Sequence, residues 1–145
     1  MLTTDQKGAV AELAIAHAAA ELGVGVFKPL TDGERYDLIF EVGSSLLRIQ
    51  CKWAPRHGDV VIVRCHSARR AREGLRRRSY TAAEVDAIAA YCPDVDGCFF
   101  VPAERFDGHL QVGLRLAPSR NNQRAGITWA EDFVFKARLE ALLGP

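Results

Sequence analysis

Three polar residues, Asp37, Gln50 and Lys52, lie in two strand-like segments that a short turn separates. A hard divalent cation prefers oxygen ligands, and the Asp37 carboxylate, the Gln50 side-chain amide and the backbone carbonyl of Cys51 all offer oxygen. A lysine beside such a cation can position or deprotonate an attacking water, or offset charge on a phosphorane-like transition state. These residue types therefore indicate metal-assisted hydrolysis of a phosphate ester.

The two segments, 36–42 and 46–53, flank Gly43-Ser44-Ser45 and predict a β-hairpin. Side chains alternate between the faces of a strand, so each segment has one apolar set. The apolar sets are Leu38, Phe40 and Val42 in the first strand and Leu47, Ile49 and Cys51 in the second. If both sets point into the core, Phe40 lies opposite Ile49 and Leu38 lies opposite Cys51.

The same register places Asp37 opposite Lys52 and Ile39 opposite Gln50. The three polar side chains then gather on the face turned away from the core, at the open end of the hairpin. An ordinary exposed ion pair between Asp37 and Lys52 explains the same spacing without any chemistry.

Glu12 adds a second candidate carboxylate, because it is the only charged residue between Gly8 and Ala20 in an alanine-rich segment. A carboxylate buried in so apolar a helix loses its hydration at a cost in free energy. A metal ion, a metal-bound water or Lys52 nearby would offset that cost. The alternative is that Glu12 faces solvent on the exposed side of the helix.

A basic segment follows the hairpin, with seven arginines and one acid, Glu73, between Arg64 and Arg78. Arginines pair with phosphates through two parallel hydrogen bonds, so this segment is a candidate DNA-binding surface. We expect it to be helix or loop, and a merely solvated arginine face is the alternative. A second group near residue 120 could read adenine edges or shape a loop. The candidate DNA-binding residues are Arg69, Arg70, Arg72, Arg76, Arg77, Arg78, Arg120, Asn122 and Gln123.

The remaining pattern predicts an α/β (α+β) fold in one domain that covers residues 1–145. A helix from Thr3 or Thr4 to about Leu22 is expected to stop at Gly23. Further strands are predicted at 24–28, 60–64, 86–92, 97–102 and 110–116, a short helix at 81–85 and a closing helix at 129–143.

Composition narrows the function classes. The net charge is +1, so any binding of a polyanion must be local. None of the four cysteines forms a CxxC pair, which argues against structural zinc and favours reduced core residues. No segment reads as a signal peptide or membrane span. We therefore expect a cytoplasmic protein with no membrane partner, and its candidate DNA-binding surface would make it nucleoid-associated.

Several short motifs resemble the PD-(D/E)XK nuclease superfamily, in particular its branch of group I intron-encoded homing endonucleases. They are Lys7-Gly8-Ala9-Val10-Ala11-Glu12, Arg35-Tyr36-Asp37-Leu38-Ile39 and Arg48-Ile49-Gln50-Cys51-Lys52. The similarity continues through Tyr80, Val85-Asp86, Phe99-Phe100-Val101-Pro102 and Arg120-Asn121-Asn122-Gln123. It implies a restriction-endonuclease-like fold, with a central mixed β-sheet flanked by helices.

The resemblance also implies roles. Glu12 would be the helix-borne acid beside the metal site, Asp37 the metal-binding aspartate and Lys52 the motif lysine. Mg²⁺ would be the cofactor, with Mn²⁺ as a substitute, and DNA phosphodiesters would be cut to 5′-phosphate and 3′-hydroxyl ends. Tyr36 replaces the usual proline, and Gln50 stands where most members have Asp or Glu.

The departure at Gln50 keeps other functions open, because a neutral amide binds Mg²⁺ more weakly than a carboxylate does. A Holliday-junction resolvase-like or repair nuclease would use the same core residues as a homing enzyme. A non-catalytic DNA-binding domain that retains the nuclease fold is the competing class. Because so small a chain can hardly surround a duplex alone, a homodimer or homotetramer is expected.

Overall fold

The computed structural model describes residues 1–118, 121 and 126–144, so Arg120, Asn122 and Gln123 lie outside the described residues. Its first element is helix α1, Thr4–Glu21. The Thr3 hydroxyl accepts the Gln6 backbone N–H, and the Gln6 side chain accepts the Thr3 N–H, which forms a capping box. The helix ends just before Gly23, whose φ of 80° only glycine adopts readily. Both predicted ends of α1 are confirmed.

Ten strands and two further helices follow α1 among the described residues. The strands are β1 (Gly25–Phe27), β2 (Leu38–Val42), β3 (Ser45–Trp53), β4 (Arg56–His57), β5 (Val60–Arg64), β6 (His66–Ala71), β7 (Gly74–Ser79), β8 (Ala87–Cys92), β9 (Gly97–Pro102) and β10 (Gln111–Arg115). The helices are α2 (Ala103–Phe106) and α3 (Phe135–Leu143). No described helix is both long and apolar enough to cross a bilayer.

The central sheet has five strands in the order β1-β2-β3-β8-β9. Strands β3 and β8 run parallel, and the other neighbours are antiparallel, so the sheet is mixed as predicted. A second, three-stranded sheet has the order β10-β5-β4, and β6 and β7 form a two-stranded sheet. Strand β3, which carries Gln50 and Lys52, is thus the middle strand of the central sheet.

Both faces of the central sheet are covered. Helices α1 and α3 pack on one face, where Ile15, Phe40, Ile49 and Leu139 are fully buried. The three-stranded sheet packs on the other face around Val61 and Ile88. The face that carries Gln50 therefore borders a second hydrophobic core, and the expectation that it points away from any core is wrong. All four cysteines are free, and three of them are buried.

The register of the β2–β3 hairpin differs from the predicted one. Leu38 pairs with Ile49, Phe40 with Leu47 and Ile39 with Arg48, a shift of two residues along β3. The turn decides this register: Gly43, with a φ of 61°, starts a tight two-residue turn that pairs Val42 with Ser45. A shift of two preserves the alternation, so the apolar sets still share a face. The predicted placement of Asp37 opposite Lys52 is wrong.

The arginine-rich segment is a β-hairpin, not the predicted helix or loop. Strands β6 and β7 pair from His66 with Ser79 to Ala71 with Gly74. The chain reverses at Arg72-Glu73, and Gly74 has a φ of 112°, which its missing side chain permits. Charged residues are compatible with a β-strand when both faces of that strand are exposed. The sequence pattern does not reveal such exposure, so it did not predict strands here.

Two smaller expectations also need correction. Residues 81–85 form one turn instead of a helix, in which the backbone N–H groups of Glu84 and Val85 both donate to the Thr81 carbonyl. The closing helix begins later than residue 129, because Ala130–Phe133 is a 3₁₀ turn and Val134 bridges to Phe99 in β9. That bridge requires an extended residue directly before α3.

Candidate active site

Asp37 lies where the chain enters β2. Its Oδ2 accepts a hydrogen bond from the Cys51 backbone N–H at 3.0 Å, and its own N–H donates to the Ile49 carbonyl at 2.8 Å. Burial raises the pKa of Asp37, the bond from Cys51 works against that rise, and the nearby charge of Glu12 adds to it. Asp37 is thus a carboxylate fixed by the neighbouring strand and deprived of much of its hydration.

Glu12 reaches the same end of the sheet from α1. Its Oε1 accepts a hydrogen bond from Lys28 Nζ at 2.6 Å, and its side chain is 26% exposed. The bond to Glu12 also raises the pKa of Lys28. The cation beside Glu12 is therefore Lys28, not Lys52. Lys28 was missed because only the folded chain brings the segment after β1 against α1.

Lys52 is held between the central sheet and the β6–β7 hairpin. Its Nζ donates to the His66 carbonyl at 3.0 Å and lies 5.1 Å from the centre of the Tyr80 ring. Burial lowers the pKa of Lys52, while the charge of Asp37 works against the lowering. A lysine with a lowered pKa releases its proton more readily near neutral pH, which suits proton transfer.

Gln50 is buried, with 9% of its surface exposed. Its Nε2 donates to the Cys51 carbonyl at 3.3 Å, which leaves that carbonyl a second lone pair and leaves the amide oxygen of Gln50 as an acceptor. The described residues contain no group of three or more Asp, Glu, His or Cys side chains that could hold a metal. Besides the carboxylates of Glu12 and Asp37, the oxygens available to a metal here are the Gln50 amide, the Cys51 carbonyl and water.

Comparison with known proteins identifies the family and a structure of similar fold. Residues 2–136 match the family model of the PD-(D/E)XK endonucleases. The chain belongs to the PD-(D/E)XK endonuclease family. Its fold is similar to that of the bacterial homing endonuclease I-Ssp6803I, with a TM-score of 0.76 and 24% identity over 98% of this chain and 94% of that one. No curated protein matches the chain.

A second cation, Arg35, borders the site of this PD-(D/E)XK endonuclease. Its guanidinium lies 4.1 Å from the Tyr80 ring centre and donates to Ser67 Oγ at 2.8 Å and to the Ser79 carbonyl at 2.9 Å. Burial raises the pKa of Tyr80 to about 12, so its ring stays neutral between Arg35 and Lys52. The sequence places Arg35 two residues before Asp37, but nothing in that spacing indicates these contacts.

Asp86 fixes the parallel pair of strands behind the site. Its carboxylate accepts the Arg48 backbone N–H at 2.7 Å and two guanidinium N–H groups of Arg48, each at 3.0 Å. The bond from Arg48 also lowers the pKa of Asp86. This pair joins the start of β8 to β3 and so holds the strand that carries Gln50 and Lys52.

The candidate DNA-binding arginines that the structure describes all lie on the β6–β7 hairpin. Six arginines in and between these strands are exposed, and the hairpin starts at the residue that Lys52 contacts. The PD-(D/E)XK endonuclease therefore has a basic arm attached directly to its candidate site. These residues are Arg69, Arg70, Arg72, Arg76, Arg77 and Arg78.

Proposed function

We propose that the chain is a single-domain, Mg²⁺-dependent endonuclease that hydrolyses DNA phosphodiesters, with Mn²⁺ as a substitute metal. The observation that carries the proposal is the position of Asp37, a half-buried carboxylate whose pKa the charges of both Glu12 and Lys52 influence. Opposite charges gathered at one end of a sheet, in a family of endonucleases, suit attack of water on a phosphate.

The donor set fits Mg²⁺. This ion binds through one or two carboxylates and completes its shell with neutral oxygens and water. Asp37 and Glu12 would hold it, with the Gln50 amide oxygen and the Cys51 backbone carbonyl as the neutral ligands. When bound, Mg²⁺ supplies Lewis acidity that polarises the scissile phosphate and lowers the pKa of water.

The protein's own groups have separate tasks. Lys52 lies where its ammonium can neutralise charge that develops on the phosphate, and its lowered pKa lets it exchange a proton with the attacking water. The Cys51 N–H fixes the orientation of Asp37. Attack of water on phosphorus breaks the bond to the 3′ oxygen, which takes up a proton and leaves 5′-phosphate and 3′-hydroxyl ends.

Duplex DNA at a specific site is the substrate that we favour, as for a homing-type enzyme. The fold shared with a bacterial homing endonuclease supports this choice. A Holliday-junction resolvase-like or repair nuclease would prefer branched or damaged DNA with the same residues. Location of the reading frame inside an intron would support the homing assignment, and cleavage of four-way junctions in preference to duplex would contradict it.

The direct test is cleavage of supercoiled plasmid and of four-way-junction DNA with Mg²⁺ or Mn²⁺. We expect Asp37→Ala and Lys52→Ala to lower the rate by about 100-fold or more. The exposed residues Asp94 and Lys136 provide matched controls, Asp94→Ala and Lys136→Ala, that should cleave like wild type. Wild-type protein that binds DNA but never cuts it would contradict the enzymatic proposal.

One observation favours the non-catalytic alternative. The Lys28 ammonium already neutralises Glu12, and Gln50 supplies no charge, so Asp37 alone of the proposed side-chain ligands brings a negative charge that no described ion pair neutralises. A DNA-binding domain that has lost cleavage would have these features. Mg²⁺ distinguishes the two functions, because a working site gains thermal stability from Mg²⁺ that Asp37→Ala abolishes. A non-catalytic domain shows no such gain.

A further inference from the structure

The β6–β7 hairpin is a two-stranded ribbon whose two faces differ. Paired residues share a face, so the register assigns each side chain. What we call the outer face carries Ala68, Arg70, Leu75 and Arg77. The fastened face carries Ser67, Arg69, Arg76 and Arg78. Along the ribbon, residues 68–70 and 74–78 are exposed.

Carboxylates neutralise two of the three arginines on the fastened face. Arg78 contacts Glu84 at 2.6 Å, and Arg76 contacts Glu73 at 3.2 Å. Arg35 also binds this face at its base through Ser67 Oγ. The fastened face is therefore tied to the body of the protein and has lost part of its positive charge.

The outer face has no such acids. Arg70 and Arg77 form no ion pair with any residue in the described ranges 1–118, 121 and 126–144. Between them lies Leu75, which is 60% exposed although it is apolar. On the same face, Ala68 lies two residues before Arg70 in β6 and opposite Arg77. Two unpaired guanidinium groups interleaved with apolar side chains form a surface that suits a polyanion with apolar patches.

Duplex DNA offers that combination in its major groove, which admits a two-stranded β-ribbon. Guanine presents two acceptors that match an arginine fork, and thymine presents a methyl group that apolar side chains contact. Resting on the proposed function, we propose that the outer face of this hairpin reads base edges through Arg70 and Arg77, with Ala68 and Leu75 against thymine methyl groups. The fastened face holds the ribbon and contacts phosphates.

The test starts with selection of bound sequences from a random duplex library by wild-type protein. We expect a defined base preference. Arg70→Ala and Arg77→Ala should each reduce discrimination at particular positions by roughly 10- to 100-fold. The matched control Arg69→Ala, at an exposed arginine of the fastened face that forms no ion pair within the described residues, should keep the preference and weaken binding to all sequences equally, with a salt slope lower by about one.

Arg70→Lys and Arg77→Lys separate base reading from simple charge. Lysine keeps the charge that a phosphate contact needs but lacks the fork that guanine requires, so these variants should also lose the preference. The inference is overturned if the Ala variants keep the base preference of the wild-type protein, or if the Lys variants keep it. In either case, DNA cleavage by the wild-type protein leaves the proposed function standing. Failure of wild-type protein to bind any DNA would reject both. Circular dichroism verifies that each variant keeps the secondary-structure content of the wild-type protein.

Discussion

The half-buried carboxylate of Asp37 lowers stability whenever it is ionised and has no divalent cation beside it, because it has lost part of its hydration. Its pKa is raised in the folded protein, so the folded protein holds that proton more tightly than the unfolded chain does. The loss of stability is therefore complete above the folded pKa and disappears below the ordinary carboxyl pKa of about 4. A site built for a cation has this property until the cation arrives.

Asp37→Asn is therefore expected to raise the melting temperature at neutral pH in chelator, and to abolish cleavage. The gain over wild type should shrink as the pH falls toward the ordinary carboxyl range, because both proteins are then neutral at residue 37. Thermal unfolding across a pH series measures it, with exposed Asp94→Asn as the control. A variant that melts below wild type at neutral pH would contradict the argument.

At Gln50, a carboxylate can be added to the candidate site instead of being removed from it. Because Gln50 is 9% exposed, Gln50→Glu buries a new carboxylate. We expect a loss of about 2 kcal/mol in the free energy of unfolding in chelator. If Gln50 is a ligand, Mg²⁺ should more than restore that loss and stabilise the variant more than it stabilises wild type. Denaturant unfolding with and without Mg²⁺ measures the free energy of unfolding of both proteins. If Mg²⁺ stabilises the variant and the wild type equally, Gln50 is not a metal ligand.

At the scale of single residues, the sequence indicated Asp37, Gln50 and Lys52, because they lie at short spacing in two adjacent strands or directly before them. It could not indicate Lys28 or Arg35. Lys28 pairs with a residue on α1, and Arg35 reaches the base of a hairpin more than thirty residues away. Such contacts depend on how elements pack, and no local pattern encodes them.

Arg35 links the residue scale to the element scale, because it holds both strands of the β6–β7 hairpin. It donates to Ser67 in β6 and to the Ser79 carbonyl in β7, and its Nε lies 3.3 Å from the Glu84 carboxylate. Most of the rest of the hairpin is exposed, so its orientation depends on such contacts near its base. The others are the bond from Lys52 to His66, the contact of the His66 ring with the Leu110 carbonyl and the Arg78–Glu84 ion pair.

Arg35→Ala should therefore loosen the hairpin and lower the free energy of unfolding by about 2 kcal/mol. Hydrogen exchange of residues 66–79 should accelerate, while exchange in β8 and β9 stays at the wild-type rate. Arg77→Ala, on the same hairpin but away from its base, is the matched control and should change neither quantity. Unchanged exchange in Arg35→Ala would show that the hairpin does not depend on Arg35.

The elements themselves were predicted unevenly. Apolar alternation and glycine turns predicted α1, β2, β3 and β5 closely, because burial on one face produces those patterns. The hairpin of arginines gave no such signal, since neither of its faces is buried along most of its length. The register of β2 with β3 depended on whether Gly43 begins a two-residue turn, which hydrophobic pairing alone does not settle.

At the scale of the whole molecule, the central sheet lies between two cores and β3 is its middle strand. Gln50 and Lys52 are thus on the strand with neighbours on every side. Catalytic groups require such positional accuracy, because a small displacement lowers a rate strongly. The basic hairpin differs from β3 in this respect, since it extends from the body of the protein and is exposed to solvent.

A chain with one candidate site among its described residues can cut only one strand per binding event, whereas symmetric copies can cut both. We expect a homodimer or homotetramer, and we expect supercoiled plasmid to become linear without an accumulating nicked form. Sedimentation equilibrium and a plasmid time course measure the two outcomes. A monomer that accumulates nicked circles would contradict the assembly.

The hydrogen bond from Lys52 Nζ to the His66 carbonyl also fixes a length. It joins the group that would act on the phosphate to the first residue of β6, a strand that ends at Ala71. At about 3.3 Å per residue, the five steps from His66 to Ala71 reach roughly 16 Å from that bond. Along B-form DNA this reach is about five base pairs. The length of the hairpin would then set the distance between the recognised bases and the cut. Lengthening both strands by two residues should move the cut relative to the recognised bases by a fixed step and leave the recognised sequence itself unchanged.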